Sequence, residues 1–261
     1  DRDLVATMVG EGGSASPEAV KAYVDGLARL HEGNNLEAVK LLTVAAGHDA
    51  DFAMAYTYLG EALSNLGRDA EAEEALAKAG AHAGSLSRPD RLFITARGAM
   101  ASGDVRKAIE AFEELTRLLP NNLGAVYELA LAYELEGEWE LSTKNLRRVV
   151  ELDPKFVAAL FALGRVHIKE GSCEASLDYL HRALSLNVLA GNREGEATVL
   201  NAIGLAHFWL DRHEDALRHY AQSLEIKREI GDRRGMSATL SNMAVVYQVR
   251  GEYERSVSTY K

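Results

Sequence analysis

Seven times along the chain a small residue stands twelve positions after another small residue, with a turn residue between them. The first members are Gly26, Gly60, Ala96, Ala130, Gly164, Gly204 and Ala244; the second are Ala38, Ala72, Ala108, Ser142, Ser176, Ala216 and Ser256. Five positions before each second member sits Gly33, Gly67, Gly103, Gly137, Gly171, Asp211 or Gly251. Successive copies are 34, 36, 34, 34, 40 and 40 residues apart. A fixed period in this range predicts helical hairpins stacked in one dimension, each burying a face that it cannot bury alone.

One copy shows how the residues specify a hairpin. Val126, Leu129, Ala130 and Tyr133 recur at helical spacing and predict a helix over Leu123 to Glu136. Gly137 stops it, because glycine tolerates the left-handed backbone of a helix exit. A second helix is predicted over Trp139 to Leu152, with Leu141, Leu146, Val149 and Val150 inward. Asp153-Pro154 ends it, since the residue before proline avoids helical angles. The small residues mark where two antiparallel helices approach, Ala130 against Ser142 in this copy.

Tyr58-Leu59-Gly60, Ala162-Leu163-Gly164 and Ala202-Ile203-Gly204 resemble the first half of the tetratricopeptide repeat. Ala108-Ile109-Glu110-Ala111-Phe112 with Pro120, and Ala216-Leu217-Arg218-His219-Tyr220, resemble its second half. The resemblance covers residues 17 to 261 and implies an all-α, right-handed superhelical solenoid of antiparallel hairpins. The chain departs from the pattern in having no Trp four places before the usual Gly; Tyr56, Leu92, Val126, Leu160, Leu200 and Leu240 stand there. The first copy has Ala22 and Asp25 at its bulky positions, and the third lacks the Gly.

The expected organisation is an N-terminal segment over 1–16, then repeats over 17–52, 53–88, 89–122, 123–156, 157–196, 197–236 and a truncated 237–261. Asn192-Arg193-Glu194-Gly195-Glu196 and Asp232-Arg233-Arg234-Gly235-Met236 repeat each other forty residues apart. Six extra residues add about 9 Å of helix. These copies resemble the forty-residue subtype of eukaryotic cell-polarity adaptors and bacterial signalling proteins. Looser similarity of Ser16-Pro17-Glu18-Ala19 through Leu86-Ser87-Arg88-Pro89-Asp90-Arg91-Leu92 to repeat regions beside bacterial kinases, cyclases and winged-helix regulators implies a regulatory role.

The net charge of −10 argues against nonspecific nucleic-acid binding, which needs a basic footprint. No run of 18 apolar residues exists, so no membrane contact is expected. A single Cys excludes an intrachain disulfide and fits a cytoplasmic setting. The chain starts at Asp1 without a signal peptide and is expected to be a fragment or processed product.

The search for chemistry gives no catalytic residue, no metal site and no cofactor. His207, His213 and His219 fall on a first helix, a turn and a second helix, unlike the i, i+4 pairs of metal-binding helices. His167 and His207 stand where aromatics are usual and are expected to pack between helices. Cys173 takes a packing position and lacks an activating partner. Glu71-Ala72-Glu73-Glu74 and Glu113-Glu114 read as solvated faces. Gly10-Glu11-Gly12-Gly13 lacks the strand and Lys of a phosphate loop and reads as a linker.

The family resemblance implies a peptide groove lined by the first helices. Projecting the period places Phe93, Arg97, Tyr127, Phe161, Arg165, Lys169, Asn201 and Trp209 on it, together with Tyr23, Leu27, Thr57, Glu61, Leu131, Leu205, Ser241 and Val245. Phe93, Tyr127 and Phe161 share one position in successive copies, with Arg97 and Arg165 a turn away. Aromatics and Arg dominate binding hot spots, although groove aromatics also pack between repeats. The Lys and Asn set that chaperone-tail-binding members carry on three consecutive repeats does not occur.

The sequence therefore predicts a non-catalytic, protein- or peptide-binding scaffold, the interaction part of a bacterial regulatory protein. Two alternatives stay open: a small-molecule or signal-peptide sensor controlling an attached effector, and a self-assembly module associating through its uncapped C-terminal repeat.

Overall fold

The computed structural model describes residues 14, 16–31 and 34–259. The Gly33 turn, the 10–13 linker and the final residues of the seventh copy lie outside them. The described residues form fourteen α-helices and no strand.

The chain divides into two compact units, Asp1–Gly137 and Glu138–Lys261. The first holds α1 (Pro17–His31), α2 (Asn35–His48), α3 (Ala53–Asn65), α4 (Asp69–His82), α5 (Arg88–Ala101), α6 (Val105–Leu118) and α7 (Leu123–Glu136). The second holds α8 (Trp139–Leu152), α9 (Val157–Lys169), α10 (Cys173–Ala190), α11 (Arg193–Trp209), α12 (His213–Glu229), α13 (Arg233–Val249) and α14 (Tyr253–Ser258). Within each unit, consecutive helices pack as antiparallel hairpins.

Close approach inside a hairpin depends on the missing side chain of the first small residue. A Cβ on Gly164 would stand 2.5 Å from Leu180 Cδ2, and one on Gly204 would stand 2.6 Å from Tyr220 Cε1. Gly26 and Gly60 face Leu42 and Leu76 in the same way. The partner is thus the large residue sixteen positions on, a relation the twelve-residue spacing does not show. The second small residue contributes its backbone: at Gly60 the Ala72 carbonyl oxygen would lie 3.2 Å from an added Cβ. Leu42, Leu180 and Tyr220 are almost wholly buried as a result.

The turns follow the sequence closely. Gly137 ends α7 at φ 86° and ψ 11°, the left-handed conformation that closes a helix. Gly67, Gly103, Gly171 and Gly251 repeat this geometry. Asp211 adopts it too, at φ 56°, the one non-glycine residue among those described to do so. The connection before α5 is longer: a 3-10 turn, Ala83–Ser85, precedes Ser87, whose hydroxyl accepts from the Asp90 N–H.

Two readings are corrected. Leu141 is 38% exposed rather than inward, because α8 turns Ser142, Thr143 and Leu146 toward the core. The boundaries expected at 196/197 and 236/237 fall inside α11 and α13. Gly191 and Gly231 end the preceding helices at positive φ, and Asn192 and Asp232 cap the next ones by accepting from the N–H groups of Gly195 and Gly235 at 3.0 and 2.8 Å.

Within each unit the first helices also touch their counterparts in the next hairpin, α1 with α3 and α3 with α5, then α9 with α11 and α11 with α13. An element in contact with both its immediate neighbour and the one beyond lies on the crowded, inner side of the stack. The first helices therefore form the inner row of each unit.

Gly164→Leu is expected to drive α9 and α10 apart at Leu180 and to cost about 1–3 kcal/mol, the usual range for overpacking; an unchanged melting temperature would show that the contact is dispensable. Asp211→Gly should act in the opposite direction. Relief of a left-handed non-glycine residue, worth about 1–2 kcal/mol, exceeds the extra unfolded-chain freedom of glycine, about 0.4–1 kcal/mol. Urea denaturation should show a small gain in midpoint, and a loss would mean that the Asp211 side chain supports the turn.

Candidate functional site

The inner rows carry the projected binding residues, and the two units present them differently. In the first unit the row is closed by charge pairing. Arg97 on α5 reaches Glu61 on α3 at 2.5 Å and Glu128 on α7 at 2.9 Å. Its side chain is 15% exposed. Burial alone would lower its pKa, but Glu128 and Glu61 outweigh this and raise it, so the guanidinium stays charged. One cation thus joins three successive first helices. Tyr58 lies below this network, and its phenol is pushed upward by burial and then by Glu61.

Phe93, a half-buried residue, is part of the packing here. Its ring lies 6.0 Å from that of Tyr58 and 6.4 Å from that of Phe112. Tyr23, Leu27 and Thr57, projected onto the groove, are instead buried in the core; Tyr23 packs 4.9 Å from Phe52. An inner-row side chain can turn toward the next hairpin as readily as toward solvent, and the large apolar ones do so. Tyr127 is half-buried on α7.

In the second unit the row is more open. Arg165 lies over the Phe161 ring, Cζ to centroid 5.8 Å, and Lys169 Nζ lies 5.3 Å from the Trp139 centroid. Asn201 Oδ1 accepts from Asn242 Nδ2 at 3.3 Å, linking α11 to α13. Trp209, at the end of α11, rests edge-on against Phe208 at 5.5 Å and is 62% exposed. Val249 and Val245 on α13 are 60% and 44% exposed.

Phe161 and Arg165 are a projected pair brought together within one helix. Glu128, Asn242 and Val249 were missed by projection, although the period held the signal. Glu128 is 31 residues after Arg97, Asn242 is 41 after Asn201, and Val249 is 40 after Trp209, each one repeat on give or take a few residues.

His207 and His219 come together across the α11–α12 hairpin, their rings stacked at 5.1 Å. The His219 Nδ1–H donates to the Asp215 carbonyl at 2.8 Å. Among the described residues no group of three or more His, Cys, Asp or Glu is placed to hold a metal ion. The Cys173 thiol is buried, which pushes its pKa up, away from a reactive thiolate.

Models of the tetratricopeptide repeat match residues 95–155, 156–229 and 195–261, which together cover more than half of the chain. The chain is a tetratricopeptide repeat protein. It is 29% identical over 122 residues to the protein CTR9 homolog of Arabidopsis thaliana, covering 47% of this chain and 11% of that protein. It is 33% identical over 84 residues to the photosystem I assembly protein Ycf3 of Synechococcus sp. (strain CC9605), covering 32% of this chain and 44% of that one. The tetratricopeptide repeat protein thus spans under half the length of either relative. The apo form of RapI shares the fold, with a TM-score of 0.68 and 15% identity over 93% of this chain and 74% of that one. No described helix of this tetratricopeptide repeat protein is long and apolar enough to cross a membrane.

The stacked histidines give a pH expectation. Burial lowers the pKa of both below the ordinary value of about 6.5; at His207 the neighbouring His219 lowers it further, and at His219 Arg218 adds to the effect against the Asp215 hydrogen bond. Asp215 opposes these shifts, while Arg212 and His181 reinforce them. Between the folded pKa and 6.5 the unfolded chain holds more protons, so stability falls as pH drops through that window. The double variant His207→Gln/His219→Gln should lose less melting temperature than the wild type between pH 7 and pH 5. Parallel losses would mean that the pair does not titrate on unfolding.

Proposed function

We propose that the chain is a non-catalytic scaffold in a regulatory setting that binds a protein or peptide segment along the inner row of its second unit. The observation that carries this is the exposure of Trp209, with Val245 and Val249 on the next first helix. Three large apolar side chains stay in water on this row, and Phe161 on the same row is half-buried. Arg165 over Phe161 and Lys169 near Trp139 add cations on the same row, so a segment mixing apolar and acidic residues fits best. The family supports the reading, since tetratricopeptide repeats serve as protein-interaction scaffolds. A relative's name, photosystem I assembly protein, also describes work on protein partners. A cytoplasmic setting is part of the proposal and fits the single, buried cysteine.

The closed ion network around Arg97 makes the first unit's row the weaker part of the projected groove. The expected contributors are therefore Phe161, Arg165, Lys169, Asn201 and Trp209, with Tyr127, Phe93 and Arg97 secondary.

Peptides selected from a random display library against the full chain provide the test. Calorimetry should show Trp209→Ala and Phe161→Ala each weakening the selected peptides by about 2 kcal/mol or more, near thirtyfold. Leu189→Ala, on the end of a second helix, should leave affinity unchanged. Equal affinity for all three variants would remove the inner row as the binding surface.

A further inference from the structure

A cavity of about 440 Å³ opens in the first unit where α4, α5 and the start of α6 meet. Leu76 and Ile94 form its apolar floor, and Arg91 and Lys107 stand at its rim. No carboxylate lines it. In a chain of net charge −10, two cations thus line one hollow, with Asp90 and Asp104 close by in sequence but outside its lining. Arg91 is held in place by donating to the Leu86 carbonyl in the preceding connection.

Two glycines keep the cavity open. Gly80 lies in α4 and Gly98 in α5, and both line the hollow. A glycine inside a helix lowers stability relative to alanine, so it needs a reason. Gly26, Gly60, Gly164 and Gly204 have one, a neighbouring side chain under 3 Å from any added Cβ. Gly67, Gly137 and the other turn glycines have another, a positive φ. Gly80 and Gly98, like Gly47 in α2, have neither: a Cβ on any of them would meet nothing within 4 Å, and φ is not positive; of the three, Gly80 and Gly98 line the hollow. What their missing side chains leave is space.

We propose that this cavity binds a small organic anion with a short apolar body, its charged group between Arg91 and Lys107 and its chain over Leu76 and Ile94. The volume lies within the range of small-molecule sites, about 300–1,000 Å³. The apolar floor and paired cations call for both halves of such a ligand, a carboxylate or phosphate at one end and a few carbons at the other. The site belongs to the first unit and the proposed peptide row to the second, so it stands or falls independently of the proposed scaffold role.

The test uses the full chain with hexanoate, hexyl phosphate and hexan-1-ol as probes, followed by isothermal calorimetry and thermal shift. Saturable binding of either anion, with hexan-1-ol inactive, is the expected result, and the two anions separate a carboxylate ligand from a phosphate one. Gly98→Leu should fill the hollow and abolish binding. Lys107→Glu should weaken it at least tenfold with unchanged helicity, and decides the matter alone if Gly98→Leu does not fold. Absence of saturable binding by both anions, equal binding of hexan-1-ol, or wild-type affinity in Lys107→Glu would overturn the proposal.

Discussion

The hairpins of Gly26, Gly60, Gly164 and Gly204 depend on one contact, a small residue on the first helix seated against a large residue sixteen positions later on the second. Where the small residue is Gly, as at Gly164 and Gly204, an ordinary side chain would leave under 3 Å to Leu180 or Tyr220. Helices held this closely bury the large residue completely. They also leave the remaining apolar faces to the neighbouring hairpin, so stacking follows from the same contact. The recurring turn geometry serves it by returning the chain within a few residues, through a left-handed backbone that glycine adopts at little cost.

Stacking brings the first helices of each unit into mutual contact, and that row sorts residues by chemistry. Where it carries Glu61, Arg97 and Glu128, charge pairing across three helices seals it. The guanidinium is little exposed, so removing one member of the network would leave the others charged and poorly solvated. Where it carries Phe161, Trp209, Val245 and Val249, aromatic, cationic and apolar groups remain accessible. One architecture thus supplies both a structural seam and a candidate contact surface. The hollow beside Gly80 and Gly98 adds a third environment, produced by leaving side chains out where no packing demands it.

The helix limits were legible to a residue at Leu123–Glu136 and Trp139–Leu152, because Gly137 and Asp153-Pro154 are local signals that need no partner. The repeat boundaries expected at 196/197 and 236/237 fall four residues after the starts of α11 and α13. Their caps, Asn192 and Asp232, lie in a motif visible as a repeat but not as a capping site. Of the projected groove, the Phe161–Arg165 pair lay within one helix turn and could be found by spacing. The Arg97–Glu128 and Asn201–Asn242 contacts join different repeats at 31 and 41 residues, so they needed the offset between neighbouring hairpins.

The sequence by itself determined the hairpin, its turn and its repetition, since these rest on backbone preferences and on side-chain size at fixed spacing. Only the tertiary structure decided which inner-row residues are spent on packing. Phe93 and Phe161 occupy the same position in their repeats. Phe93 is set against Tyr58 and Phe112, while Phe161 carries Arg165. The choice depends on what the neighbouring hairpin presents, a property of the pair of repeats rather than of either one. The same holds for His207 and His219, twelve residues apart and on different helices, whose stacking exists only once the hairpin has closed.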